Sequence, residues 1–133
     1  MTLETGEYTI QYLKTRQYIG RKFAEDKSLN PKQVVSVPQD AQAPKWRVEK
    51  LDNDRYRLSI GYPTGVQGRG MAAFLMGEEP EEWVIRHFGS GEDNVYSIQG
   101  GGGHCKIFED EPETRVSIAL TRDVPDPWIF NRA

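Results

Sequence analysis

The chain has one cysteine, Cys105, and two histidines, His87 and His104, among its 133 residues. A lone thiol excludes an intramolecular disulfide, so folding does not call for an oxidising compartment. One Cys and two His without C-x-x-C or H-x-x-x-H spacing fall short of a zinc set, and no metal or other cofactor is expected. No apolar run approaches the length of a membrane-spanning helix, and the start, "MTLETGEYTI", lacks both a basic n-region and an apolar h-region. The expectation is a cytoplasmic protein with no membrane partner. A net charge of −3 gives no electrostatic reason for a nucleic-acid partner. Helical patterning is also missing: the 13 Gly and 8 Pro are spread along the chain, and no capped segment keeps an apolar stripe at a 3.6-residue period.

What is present is alternation. "EYTIQYL", "RYRLSI", "VYSIQ" and "RVSIAL" place apolar or aromatic residues at every second position, the signature of half-buried strands. Twelve strands are expected, over 7–12, 17–22, 33–37, 45–50, 55–60, 66–70, 72–76, 82–88, 95–99, 103–108, 115–121 and 127–131. The class is all-β, and the length suits a single domain over 1–133 that buries its core without bridges or metals. An internal rhythm orders the strands. Tyr8, Trp46, Tyr56, Trp83, Tyr96 and Trp128 alternate through the chain, which divides it into three units of about 40 residues with four strands each. Propellers need at least four blades. Three such units predict a β-trefoil, with a six-stranded barrel, a cap of three hairpins and a pseudo-threefold axis, and the three Trp in equivalent places near the core.

A trefoil does not dictate a function. His104 and Cys105 are adjacent in a strand pattern, so their side chains point to opposite faces and make a poor catalytic dyad. Cys105 is therefore expected to be a structural or incidental thiol, and no visible partner makes His87 catalytic. The glycine runs "GVQGRG" (65–70) and "GGGGHC" (100–105) match no nucleotide-binding fingerprint and lead into no helix; they read as tight turns. The acidic clusters "GEEPEE" (77–82) and "DEPE" (110–113) read as solvated turns. A carbohydrate site repeated in each lobe would need an Asp, an aromatic and an amide per lobe, and no repeated set is found. No enzymatic activity is expected.

The polar stretch "AEDKSLNPK" (24–32) remains. A hydrophilic hairpin loop is the plain reading. The residues also suit a loop that enters a protease. Lys27 can reach an acidic pocket, small Ser28 follows the bond that would be addressed, and Leu29 adds an apolar contact. Asn30 can bond its own backbone, and Pro31 biases Asn30 towards an extended conformation.

The pieces "LETGEYTI" and "RKFAEDKSLNPKQVV" closely resemble the mushroom serine protease inhibitors of the cospin type (mycospins), small β-trefoil proteins that inhibit trypsin-like enzymes. The match is specific up to about Pro38; beyond it only the Tyr/Trp rhythm is comparable. The resemblance implies reversible, substrate-like inhibition of trypsin-like serine proteases by the loop between the second and third strands. Asp26, Lys27, Ser28, Leu29, Asn30 and Pro31 would form that loop, with Lys27 at the specificity position, where the family motif has Arg, and Lys27–Ser28 as the bond presented. It also implies a role in fungal defence or in control of endogenous proteases, and a monomer is expected. Some trefoil inhibitors use another loop, and "TRDVPDP" (121–127) offers Arg122, followed by Asp123, as an alternative reactive site, with Arg69 as a third. A carbohydrate-binding trefoil lectin and a trefoil inhibitor of cysteine proteases acting through other loops remain as alternatives.

Overall fold

The computed structural model describes residues 3–22, 24–38, 40–88, 92–120 and 124–133. Twelve strands run in chain order: β1 Gly6–Tyr12, β2 Ile19–Arg21, β3 Lys32–Ser36, β4 Trp46–Lys50, β5 Arg55–Ser59, β6 Thr64–Gln67, β7 Gly70–Ala73, β8 Trp83–His87, β9 Val95–Gly100, β10 Gly103–Lys106, β11 Ser117–Ala119 and β12 Trp128–Arg132. β1, β4, β5, β8, β9 and β12 pair in that order, and β12 returns to β1, so six antiparallel strands close a barrel. The remaining six form three hairpins, β2–β3, β6–β7 and β10–β11. These cap the barrel and touch one another around an axis: Lys32 faces Ala73, Ser117 faces Gly70, and Val35 bridges Arg115. The architecture is a β-trefoil.

The aromatic alternation in the sequence is a set of cross-strand pairs. Tyr8 faces Trp46, Tyr56 faces Trp83, and Tyr96 faces Trp128, each joining the first and fourth strands of one lobe. All three indoles are fully buried. A buried Trp needs a partner for its N–H, and each finds one beneath its own lobe's hairpin. Trp46 donates to the Ile19 carbonyl of β2 at 2.9 Å, Trp83 to the Thr64 hydroxyl of β6 at 3.1 Å, and Trp128 to the Cys105 carbonyl of β10 at 3.2 Å. The indoles thus couple barrel to cap three times over. Ile10, Val48, Leu58, Ile85 and Ile98 fill the barrel between them.

Two neighbouring strands are displaced from expectation for one reason. The strands expected at 66–70 and 72–76 lie instead at Thr64–Gln67 and Gly70–Ala73. Gly68, at φ +61°, opens the turn in the middle of what reads as continuous strand, a backbone region that glycine enters without steric cost. The strand expected at 115–121 shortens to Ser117–Ala119 among the described residues, because Arg115 makes only an isolated bridge to Val35. The other glycine run behaves as expected. Gly101 and Gly102, at φ +61° and +84°, form the two-residue β9–β10 turn, as primed hairpin turns require.

One polar cluster is centred on a carboxylate buried in this framework. The buried Asp126 carboxylate accepts hydrogen bonds from the Tyr12 hydroxyl and from Lys14 Nζ (2.9 Å), with Lys106 Nζ at 3.5 Å. Burial alone would raise this carboxyl, but the Tyr12 and Lys14 bonds and the Lys106 charge outweigh it and hold it below the usual range. The cluster ties the approach to β12 onto β1 and β10.

Candidate functional site

The residues of "AEDKSLNPK" up to Pro31 lie in the connection between β2 and β3, which projects from the first cap hairpin. Lys27, Leu29 and Asn30 are exposed, and Leu29 is among the most exposed large apolar side chains of the described residues, at 57%. The backbone bends through residues 27–30 rather than running straight. Short-range polar contacts set that bend. Asp26 Oδ1 accepts from the Ser28 N–H (3.1 Å) and the Ser28 hydroxyl (2.6 Å), while the Asn30 N–H donates to Ser28 Oγ (3.3 Å). These are Asx and Ser turns in series, side chains replacing the carbonyls of ordinary turns.

Both ends of the connection are anchored. At its start, Arg21 of β2 makes a two-pronged pair with Glu25, at 2.9 and 2.6 Å, and its guanidinium lies 5.6 Å from the Tyr62 ring centre. At its end, Lys32 of β3 runs beneath the loop with only 6% exposure. Its Nζ donates to Asp26 Oδ1 (2.5 Å), to the Asp26 carbonyl (3.2 Å) and to Ser28 Oγ (3.4 Å). Fork geometry and several donors on one point make these ties more specific than an ordinary surface ion pair.

The sequence points to Asn30 and Pro31 for the ordering of the loop; among the described residues the Asn30 side chain makes no hydrogen bond, and Asp26, Ser28 and Lys32 carry the polar contacts. The Asp-x-Ser spacing is a signal for an Asx turn, whereas nothing local marks Lys32, which reads simply as the start of a strand.

The bond from Lys32, followed by those from Ser28, lowers the Asp26 carboxyl from 3.8 to about 2. A depressed carboxyl contributes to loop order above its ordinary value and loses that contribution as pH falls through the depressed one. The loop should stay tied down to about pH 3. In a carbon-detected titration, the Asp26 side chain should show a midpoint near 2. A midpoint at the ordinary aspartate value, about 3.9, would show that the tie does not form in solution.

The other sequence candidates are placed differently. Arg122 and Asp123 lie outside the described residues. Arg69 is exposed at the tip of the two-residue β6–β7 turn, and its carbonyl already accepts from the Ile118 N–H at 2.7 Å. No donor among the described residues reaches the Lys27 carbonyl. Cys105 is fully buried, and burial pushes its thiol far up, which removes it as a nucleophile. His87 stands edge-on to the Tyr96 ring at 5.4 Å, a packing role. Among the described residues no group of three His, Cys, Asp or Glu could hold a metal ion. An open groove of about 500 Å³ lies between Arg55, Glu81, Gln99, His104 and Pro125, with no Tyr, Trp or Phe among the described residues of its lining on which a sugar ring could stack.

A model of the peptidase inhibitor I66 family matches residues 1–123. A serine protease inhibitor from Lentinula edodes is 32% identical over 112 residues, spanning 83% of this chain and 78% of that protein. Several solved structures share the fold. A proteinase inhibitor from Coprinopsis cinerea superposes with a TM-score of 0.85 at 24% identity, covering 99% of this chain and 100% of that one. A ricin B-like lectin from Macrolepiota procera, in complex with lactose, superposes with a TM-score of 0.75 at 17% identity, covering 100% and 99%.

Proposed function

Since this chain belongs to the peptidase inhibitor I66 family, whose members inhibit proteases rather than perform catalysis, we propose that it is a reversible, substrate-like inhibitor of trypsin-like serine proteases, with the β2–β3 connection as its reactive loop. One observation carries the reading: Lys27 is an exposed basic side chain whose neighbours on both sides are tied to the scaffold. A basic side chain suits the acidic specificity pocket of a trypsin-like enzyme. A loop ordered before encounter loses less entropy on binding than a flexible substrate does.

Two further features favour this loop over Arg69. A carbonyl presented to a serine protease must be available to the oxyanion hole, and that of Lys27 is unoccupied by donors among the described residues, whereas that of Arg69 is engaged. The connection is also long enough to reach into a cleft, which a two-residue turn is not. Cytoplasmic residence, a monomeric state and a role in fungal defence or in control of endogenous proteases fit this reading.

The test is a titration of trypsin with the wild-type protein at fixed substrate. Residual activity should fall to near zero at a one-to-one ratio, and excess chromogenic substrate should relieve the inhibition. Full trypsin activity in the presence of excess protein would overturn the reading.

A further inference from the structure

The Lys27–Ser28 peptide bond is bracketed by a hydrogen-bonded bridge. Asp26, on the acyl side of the bond, and Ser28, on the amine side, are joined through Asp26 Oδ1, which accepts from both the Ser28 N–H and the Ser28 hydroxyl. The Lys32 ammonium holds the junction from below, reaching the Asp26 carboxylate, the Asp26 carbonyl and Ser28 Oγ. Lys32 is itself fixed: it is buried, opens β3, and faces Ala73 across the cap. Binding to a protease needs only the Lys27 side chain and an accessible backbone. A bridge across the very bond that the protease would cut has a different consequence.

We infer that Asp26, Ser28 and Lys32 are positioning residues that make the loop an inhibitor instead of a substrate, by holding the Ser28 amine where it can re-form the bond. The inference rests on the Lys27 reading above. The protease serine hydroxyl attacks the Lys27 carbonyl carbon and gives its proton to the catalytic histidine; the Lys27–Ser28 C–N bond then breaks and that proton passes to the Ser28 nitrogen. In an ordinary substrate the new amine diffuses away and water completes hydrolysis. Here the amine stays bonded to Asp26, which remains joined to the acylated Lys27, and Lys32 keeps both on the cap. The reverse step follows: the amine lone pair attacks the acyl carbon, the histidine takes the amine proton and passes it to the serine oxygen, and that oxygen leaves as the hydroxyl while the Lys27–Ser28 C–N bond re-forms. Well-oriented intramolecular nucleophiles reach effective molarities of roughly 10⁵–10⁸ M, far above water, so re-formation outruns hydrolysis.

Only the Asp26 side of the pair faces solvent, while the Lys32 stem is buried; the role of the pair lies in geometry. Lys32→Met keeps the buried aliphatic stem without the ammonium, and Asp26→Ala alters an exposed side chain, so both variants are expected to fold, which thermal unfolding would check.

The experiment incubates trypsin with wild type, Asp26→Ala, Lys32→Met and the double variant. It follows the initial inhibition constant and, by intact-mass spectrometry, the rate of cleavage between Lys27 and Ser28. Each single variant should raise the ratio of cleavage rate to binding strength by about tenfold or more, giving inhibition that fades with time. The double variant should be no worse than the poorer single one, because both remove the same bridge. Ser28→Thr, which retains a hydroxyl, should stay closer to wild type than Ser28→Ala. Slow cleavage in all variants, equal to wild type at matched stability, would overturn the inference while leaving the Lys27 reading intact. Failure of wild type to bind trypsin, or cleavage at another bond only, would overturn both.

Discussion

Lys27→Ala should weaken inhibition of trypsin by about tenfold at the least, corresponding to an anchor loss of about 2 to 5 kcal/mol. The magnitude follows from what truncation leaves behind. A long basic side chain in an acidic pocket pairs with a desolvated carboxylate, and its removal strands that carboxylate without a partner. Lys27→Arg should preserve binding to trypsin, since both cations suit the pocket although their hydrogen bonding differs. Lys27→Leu should move preference towards chymotrypsin-like enzymes, whose pocket is apolar. Thermal stability should barely move in any of the three, because Lys27 is exposed and lies outside the core. Inhibition constants against trypsin and chymotrypsin decide the matter. If Lys27→Ala inhibits trypsin as tightly as wild type while Arg122→Ala does not, the β11–β12 connection is the reactive one.

The largest effect on stability is expected at the indoles. Trp83→Ala should cost about 3 to 5 kcal/mol, the range for emptying a buried aromatic site. Trp83 is fully enclosed, faces Tyr56 across the lobe, and donates to a Thr64 hydroxyl that itself donates to the Leu58 carbonyl at 2.6 Å. Its ring also packs so tightly on β9 that a Cβ added at Gly100 would come within 2.5 Å of it. Trp46→Ala and Trp128→Ala should fall in the same range, since each indole repeats the same barrel-to-cap bond. Chemical denaturation would measure all three. Costs below about 1 kcal/mol at each site would mean that the indoles do not root the lobes, for that is the scale of an ordinary substitution.

The trefoil was legible because its aromatic pairs leave a local mark. Each Tyr and each Trp opens or occupies an alternating strand, so six residues reveal three lobes even though their pairings span tens of residues. The turn at Gly68 was harder. Flanked by Val66 and Met71, it reads as a continuation of strand, and only its positive φ reverses the chain. The position of Lys27 between the second and third strands followed from the alternation on either side of it, and only its reactive role rested on the resemblance of the surrounding motif. The role of Lys32 did not. A lysine at the start of an alternating strand is normally solvated, and its burial under Asp26 depends on how β3 registers against β7, a tertiary fact with no local trace. The Asp126 cluster was hidden for the same reason, since Tyr12 and Asp126 meet only when the barrel closes.

Closure of the barrel also governs survival in hostile company. A protein with 17 Lys and Arg residues offers a trypsin-like enzyme many formal cutting points. To be cut, a segment must leave its neighbours and lie extended in the enzyme's cleft. Arg47 is paired to Ser59 on one side and Glu7 on the other, Arg57 to Glu49, and Arg86 to Ser97. Because the six strands form a ring with no end, no member can peel off an edge; freeing one breaks the circle and the core with it. Digestion at those bonds is therefore coupled to global rather than local opening. The ring leaves the projecting β2–β3 connection as an approachable place to bite, where the chain keeps its bridge.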